Sequence, residues 1–167
     1  MAYTLDSLAN DIRTTLQKDP TTNGRQAICK LVSKALMDKE FVASHLTEEQ
    51  CKPRKVLYED PEMGFCICGH VNPGAAKSAP HDHGTSWAIY GQAVGETVMT
   101  DWQIVKRAQE GQPALVREAQ SYAMRPGDAR LYEVGDVHSP RRESATKLIR
   151  IEGRNLDHEK RSHIRAA

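Results

Sequence analysis

The stretch APHDHGTSWAIYGQAVGE, Ala79–Glu96, sets His81 and His83 on either side of one residue, between a proline and a strand-like aromatic run. In an extended chain, residues i and i+2 face the same way with Cβ atoms about 7 Å apart, so both imidazoles can aim at one point. Neutral imidazole is the commonest ligand for zinc, iron, copper and nickel. No carboxylate follows within a dozen positions; Glu96 comes first, thirteen residues after His83. Two loop histidines beside a solvated Asp82 would give the same letters. A third histidine decides between the readings. His138 lies in MRPGDARLYEVGDVHSP, Met124–Pro140, where Pro126-Gly127-Asp128 marks a turn and a strand leads on to Gly135-Asp136.

Working outward, the chain from Lys55 is a series of short runs rich in β-branched, aromatic and alternating residues: KVLYED, GFCICGHV, SWAIYGQAV, ETVMTDWQIV, ALVREAQSYAM, ARLYEV and TKLIRIEG. Between them stand Pro-Glu-Met-Gly, Asn-Pro-Gly, Gly-Gln-Pro, Arg-Pro-Gly-Asp and Val-Gly-Asp. Regular punctuation of short strands predicts an antiparallel sandwich or barrel. The first fifth reads as helix. Leu5, Leu8, Ile12 and Leu16 recur at three- and four-residue steps, as do Ile28, Leu31, Val32, Ala35 and Leu36 after the breaker KDPTTNG, with Thr22 and Asn23 as capping residues. Phe41, Val42 and Leu46 predict that the second helix continues or that a short third one follows. The expected organisation is one structural domain: helices over 1–50 packed on a barrel over 51–156, then a solvated tail over 157–167.

Bulk properties narrow the function. At 167 residues the chain is long enough for a hydrophobic core without staples. A formal charge of +1 gives no electrostatic grip on nucleic acid or acidic membranes. The basic end RNLDHEKRSHIRAA is diluted by Asp157 and Glu159 and reads as solvated rather than nucleic-acid binding. No apolar run nears the ~20 residues of a membrane span. The first residues have neither the basic start nor the apolar middle of a signal peptide, so a cytoplasmic protein with reduced thiols is expected. Cys66 and Cys68 share a strand face and read as buried small hydrophobes rather than a metal pair.

The H-x-H stretch followed by P-G-D…G-x-x-H resembles the two motifs of the cupin superfamily. The resemblance implies a mainly β double-stranded β-helix (cupin) barrel with N-terminal α-helices, in which His81, His83 and His138 bind one metal. HDHGTSWAIYG, GETVMTDW, PGDARLYEVGDVH and LIRIEGRNL, with GFCICGHVNPG before them, are similar to the cysteine dioxygenase-type thiol dioxygenases, closest to those acting on 3-mercaptopropionate. That likeness implies Fe2+ at the three histidines, with a thiolate substrate and O2 giving a sulfinic acid. Zn2+ or Ni2+ also suits such ligands. Three neutral ligands leave the divalent charge uncompensated, which favours a small anionic substrate.

The chain departs from that family where the family carries a Ser-x-His-x-Tyr relay. Leu148, Arg150 and Glu152 stand in those places, and Ala88 stands where some members have a cysteine cross-linked to the tyrosine. Arg150 and Glu152 share parity and should face the interior, either as a structural ion pair or as catalytic residues. In the catalytic reading Arg150 grips a substrate carboxylate and Glu152 moves protons. Arg54 or Lys55 could replace the family's substrate arginine, or form an ordinary exposed basic pair. Trp87 and Tyr90 are candidate pocket walls or core aromatics. His70 is a weaker metal candidate. Three functions follow: an Fe2+ dioxygenase, an O2-independent lyase or isomerase with Glu152 as acid/base, and a non-catalytic metal- or ligand-binding protein. Exposed sheet edges leave a homodimer open.

Overall fold

Apolar residues at helical spacing build α1 (Leu5–Lys18) and α2 (Thr22–Met37), in a computed structural model that describes residues 2–51 and 53–167. Thr4 caps α1 by accepting from the Ser7 amide. Thr21 caps α2, one residue before the expected pair. Asp38 stops α2 and starts α3 (Lys39–His45), its carboxylate accepting from the amides of Glu40 and Phe41. A third short helix therefore holds Phe41 and Val42, and α4 (Glu48–Cys51) follows it.

The strands are β1 (Lys55–Glu59), β2 (Cys66–Asn72), β3 (Ala76–Lys77), β4 (Ala88–Val94), β5 (Thr97–Lys106), β6 (Ala114–Met124), β7 (Ala129–Tyr132), β8 (Val137–Arg142), β9 (Thr146–Glu152) and β10 (Ile164–Ala166). They form two five-stranded sheets, ordered β1-β2-β9-β4-β7 and β10-β6-β5-β8-β3. Among the described residues only β10 against β6 is parallel. The fold is a cupin-like two-sheet jelly roll with N-terminal helices.

Strand parity splits the first sheet into two unlike faces. Ile67, Val71, Ile89, Ile149 and Ile151 point outward and pack with Leu8, Ile12, Ile28, Val32 and Leu36 in one continuous core. Fully burying such a side chain contributes about 1.5–3 kcal/mol, so this layer fixes the sheet's register. At Gly91 the approach is so close that a Cβ would lie 2.5 Å from Val32 Cγ1. The inner face is mixed. Ala88, Tyr90 and Leu148 join Met99, Met124 and Tyr132 in a smaller cluster. Across the strands Glu152 faces Cys66 and Ala88, and Arg150 faces Cys68 and Tyr90. This interior row of polar groups positions the site.

The C-terminal residues differ from the solvated tail expected. Although largely exposed, they are tied down: β10 pairs with β6, Glu159 accepts from the Thr85 hydroxyl at 2.6 Å, and the Ser162 amide donates to Asp82. Backbone amides and a loop carboxylate outweigh the segment's charged composition here. Among the described residues no helix is long and apolar enough to cross a membrane.

Candidate metal centre and its cavity

His138 lies on β8. His81, expected on a strand of its own, forms only an isolated bridge to it, each amide donating to the other's carbonyl at 3.0 and 2.9 Å. His83 follows in an irregular loop, so the two-residue strand period is not what aligns the rings. The loop is instead shaped by Asp82, a buried carboxylate that accepts from the Gly84 and Ser162 amides, and by a left-handed Gly84 (φ 61°). A Cβ on Gly84 would lie 2.5 Å from the Lys160 carbonyl, so the C-terminal segment presses directly on the loop. Asp82 is thus structural rather than solvated.

The three imidazoles converge: one nitrogen from each of His81, His83 and His138 lies within 4.8 Å of the others. Nδ1 of His81 donates to the Ala79 carbonyl (2.9 Å) and Nδ1 of His138 to the Asp136 carbonyl (3.0 Å). These outer hydrogen bonds fix the tautomer, so both Nε2 atoms present lone pairs to the centre, as in metal-binding histidines. His83 Nε2 lies 3.0 Å from His138 Nε2, while its own Nδ1 is buried without a partner. Tyr132 stacks on His138 (3.9 Å between centroids, 21° between planes) and holds that ring flat.

Burial keeps the rings uncharged. Desolvation, then the neighbouring histidine, pushes His83 down to about 2 and His138 down to about 3; His81 is lowered chiefly by burial. Extra protons cannot neutralise the crowded lone pairs, and a divalent cation with nitrogen ligands can. The donor set therefore fits a metal, held by His81, His83 and His138.

Tyr90 supplies the fourth group. Its hydroxyl is 3.1 Å from His83 Nε2, 3.3 Å from His138 Nε2 and 3.4 Å from Arg150 Nη1. Tyr90, His81 and Arg150 line a cavity of about 300 Å³ whose other charged walls are Arg142 and Arg161. No described carboxylate lines it. The opening beside the three histidines is thus cationic before any metal binds.

Glu152 does not face this cavity as a free acid or base. Arg150 donates to its Oε1 from Nε (2.9 Å) and Nη2 (2.7 Å), Arg54 donates to Oε2 (2.8 Å), and the Leu156 amide adds a further bond to Oε2. A carboxylate with no exposed surface, clamped by two guanidiniums, is an anchor. Arg54 is accordingly neither a substrate arginine nor an exposed partner of Lys55. It bridges Glu152 and Asp157.

Of the two expected pocket aromatics, the structure brings only Tyr90 to the site. Trp87 has the opposite parity, packs on the helical core and abuts Gly153, so it does not line the cavity. Glu96 pairs with Arg125 at the surface. Cys66 and Cys68 are buried free thiols, and burial pushes Cys66 up to about 12, which leaves it inert. His70 lines the cavity but lies outside the metal cluster.

No family model and no curated protein matches the chain. Solved structures with a similar arrangement include three at low identity. A cupin superfamily protein from Desulfitobacterium hafniense has a TM-score of 0.44 and 13% identity over 59% of this chain and 72% of that one. KdgF from Halomonas sp. has 0.45 and 17%, over 62% and 80% respectively. The DMSP lyase DddQ from Ruegeria pomeroyi has 0.45 and 15%, over 65% of this chain and 49% of the lyase, so the match spans about half of that protein's length. Strand order and register, rather than these distant likenesses, establish the fold.

Sequence reasoning missed Arg142, Arg161, Thr97 and the clamp by Arg54. Arg142 carried a usable signal: four residues beyond His138, it has that histidine's parity on β8. Arg161 carried none, because only the folding-back of the C-terminal segment brings it to the cavity.

Proposed function

We propose that this chain is a metal-dependent enzyme, with Fe2+ at His81, His83 and His138, that oxidises a small anionic substrate with O2. A thiol carboxylate is the leading substrate class by resemblance to the thiol dioxygenases. The observation that carries the reading is the meeting of a neutral three-nitrogen centre with an arginine-walled cavity in which Arg150 is paired with Glu152, whereas Arg142 and Arg161 face no carboxylate among the described residues. An anionic guest satisfies both at once. The overall change, RSH + O2 → RSO2H, needs no outside reductant.

When bound, the metal would ligate the thiolate and activate O2. The protein's own groups do the remaining work. Arg150 keeps part of its planar fork free of Glu152 and can hold a carboxylate. Glu152 positions that fork. The Tyr90 hydroxyl, within hydrogen-bond reach of two ligand histidines and Arg150, can donate to a substrate atom or hold a proton there. His83 and His138, buried and uncharged, exclude protons from the ligand set.

Oxygen uptake by anaerobically purified protein reloaded with Fe2+ tests this reading. Consumption with 3-mercaptopropionate or cysteine, and none with thiol-free acids, is expected. No uptake with any thiol by fully loaded protein would overturn it. The same tyrosine favours a second reading, an O2-independent lyase or isomerase on Zn2+ or Ni2+, with Tyr90 in the proton-transfer role earlier expected of Glu152. There Tyr90→Phe should lower anaerobic turnover by about 10²-fold or more with metal content unchanged.

A further inference from the structure

The cavity has two ends of different character. The lining runs from His81, Tyr90, Arg150 and Arg161 beside the metal centre to Arg142 and Thr97 at the ends of β8 and β5, with His70 between them. Register puts Thr97, which begins β5, beside Arg142, which ends β8, because Val98 faces Arg141; His70 comes from the other sheet, where it faces Leu148 two residues before the end of β2. Along β8, Arg142 is four residues from His138, about 13 Å at an extended rise.

This far end is short of acceptors. Arg142 Nε, His70 Nε2 and Thr97 Oγ1 are all buried and all lack a hydrogen-bond partner among the described residues, and Arg142 meets no carboxylate among them while its neighbour Arg141 pairs with Glu143. Buried polar groups are ordinarily satisfied, because an orphan loses its water without replacing it. Three orphans that can each donate, in one cavity with an uncompensated guanidinium, describe a seat for acceptor oxygens bearing negative charge.

We infer that the substrate carries two acidic groups, one held at the metal end by Arg150 and Arg161 and a second bound by Arg142, Thr97 and His70. This rests on the reading of the cavity as the substrate site, and it adds a second acidic group to the preferred substrate, one-acid compounds such as 3-mercaptopropionate then filling only the metal end. Arg142 is then the residue that sets specificity, because only a diacid spans both ends.

The test uses binding rather than turnover, so that it is separate from the oxidation reading. Metal-loaded protein is titrated calorimetrically with succinate and with propionate, for the wild type, Arg142→Met and Thr97→Val. At least tenfold tighter binding of succinate is expected in the wild type. Arg142→Met should bring succinate to the level of propionate, and Thr97→Val should cut the preference severalfold. Circular dichroism identifies a misfolded Arg142→Met, in which case Thr97→Val alone decides. Equal affinities in the wild type, or a preference unchanged in the folded variants, would overturn the inference. A clear preference without oxygen uptake on any thiol would uphold it while removing the dioxygenase.

Discussion

At the scale of single residues, Glu152 had two readings, an ion pair or a proton-transfer group, and its buried contacts favour the first. Its inward parity with Arg150 was legible from TKLIRIEG alone. Its second partner was not, because Arg54 lies almost a hundred residues earlier and meets it only once β1, β2 and β9 pair. Replacing Glu152 by Gln removes the anion from between two buried cations. Breaking a buried ion pair in this way costs about 3–5 kcal/mol. A fall in unfolding free energy of that order in urea, with metal content kept in the remaining folded protein, is expected. Loss of turnover at unchanged stability would instead mark Glu152 as the proton-transfer group. Trp87 was ambiguous for a related reason: a strand aromatic declares its face only when register is fixed, and here one step of parity puts it in the helical core.

At the scale of elements, the runs that became strands were legible because each alternates between two environments and is closed by Gly or Pro. The helices were legible from three- and four-residue spacing. Three strands escaped. β3 has two residues, β8 begins one residue before the third histidine with few β-branched neighbours, and β10 lies in a charged segment whose backbone, not its side chains, is recruited. β4 meets α2 closely, and Gly91 makes the approach possible. Gly91→Ala would place a methyl against Val32 and Leu36. Overpacking of this kind costs about 1–3 kcal/mol, and a shift of the urea midpoint to lower concentration at unchanged m-value is expected. An unchanged midpoint would mean that the helices sit on the sheet more loosely than the 2.5 Å approach implies.

At the scale of the whole molecule, the helical layer and the sheets build a rigid shell around groups that gain nothing from burial by themselves. Four histidines inside it, His70, His81, His83 and His138, have pKa values below the ordinary 6.5, with burial the largest cause in each. A histidine that is neutral when folded binds fewer protons than its unfolded form below 6.5, so stability is full above that pH and is lost as pH falls toward the folded values. The metal-free protein should therefore lose stability steadily from pH 6.5 to pH 4, by about 1.4 kcal/mol per unit for each of His83 and His138. Asp60 is held below its usual 3.8 by the amides of Met63 and Glu62 and by Arg13, against the opposing effect of burial, so it adds its loss only in stronger acid. Thermal unfolding followed across pH separates the two ranges. A flat profile between pH 6.5 and 4 would show that the rings are not buried as neutral bases.

Three neutral imidazoles, brought together from a loop and β8, form a seat for one metal ion beside an arginine-walled cavity. Metal content of anaerobically purified protein, measured with its dissociation constant for the wild type and for His81→Ala, His83→Ala and His138→Ala, tests this most directly. The prediction is one tightly bound divalent ion per chain in the wild type, and its loss in each folded single variant. Tight binding that survives His138→Ala, or a wild type that takes up no ion, would contradict it.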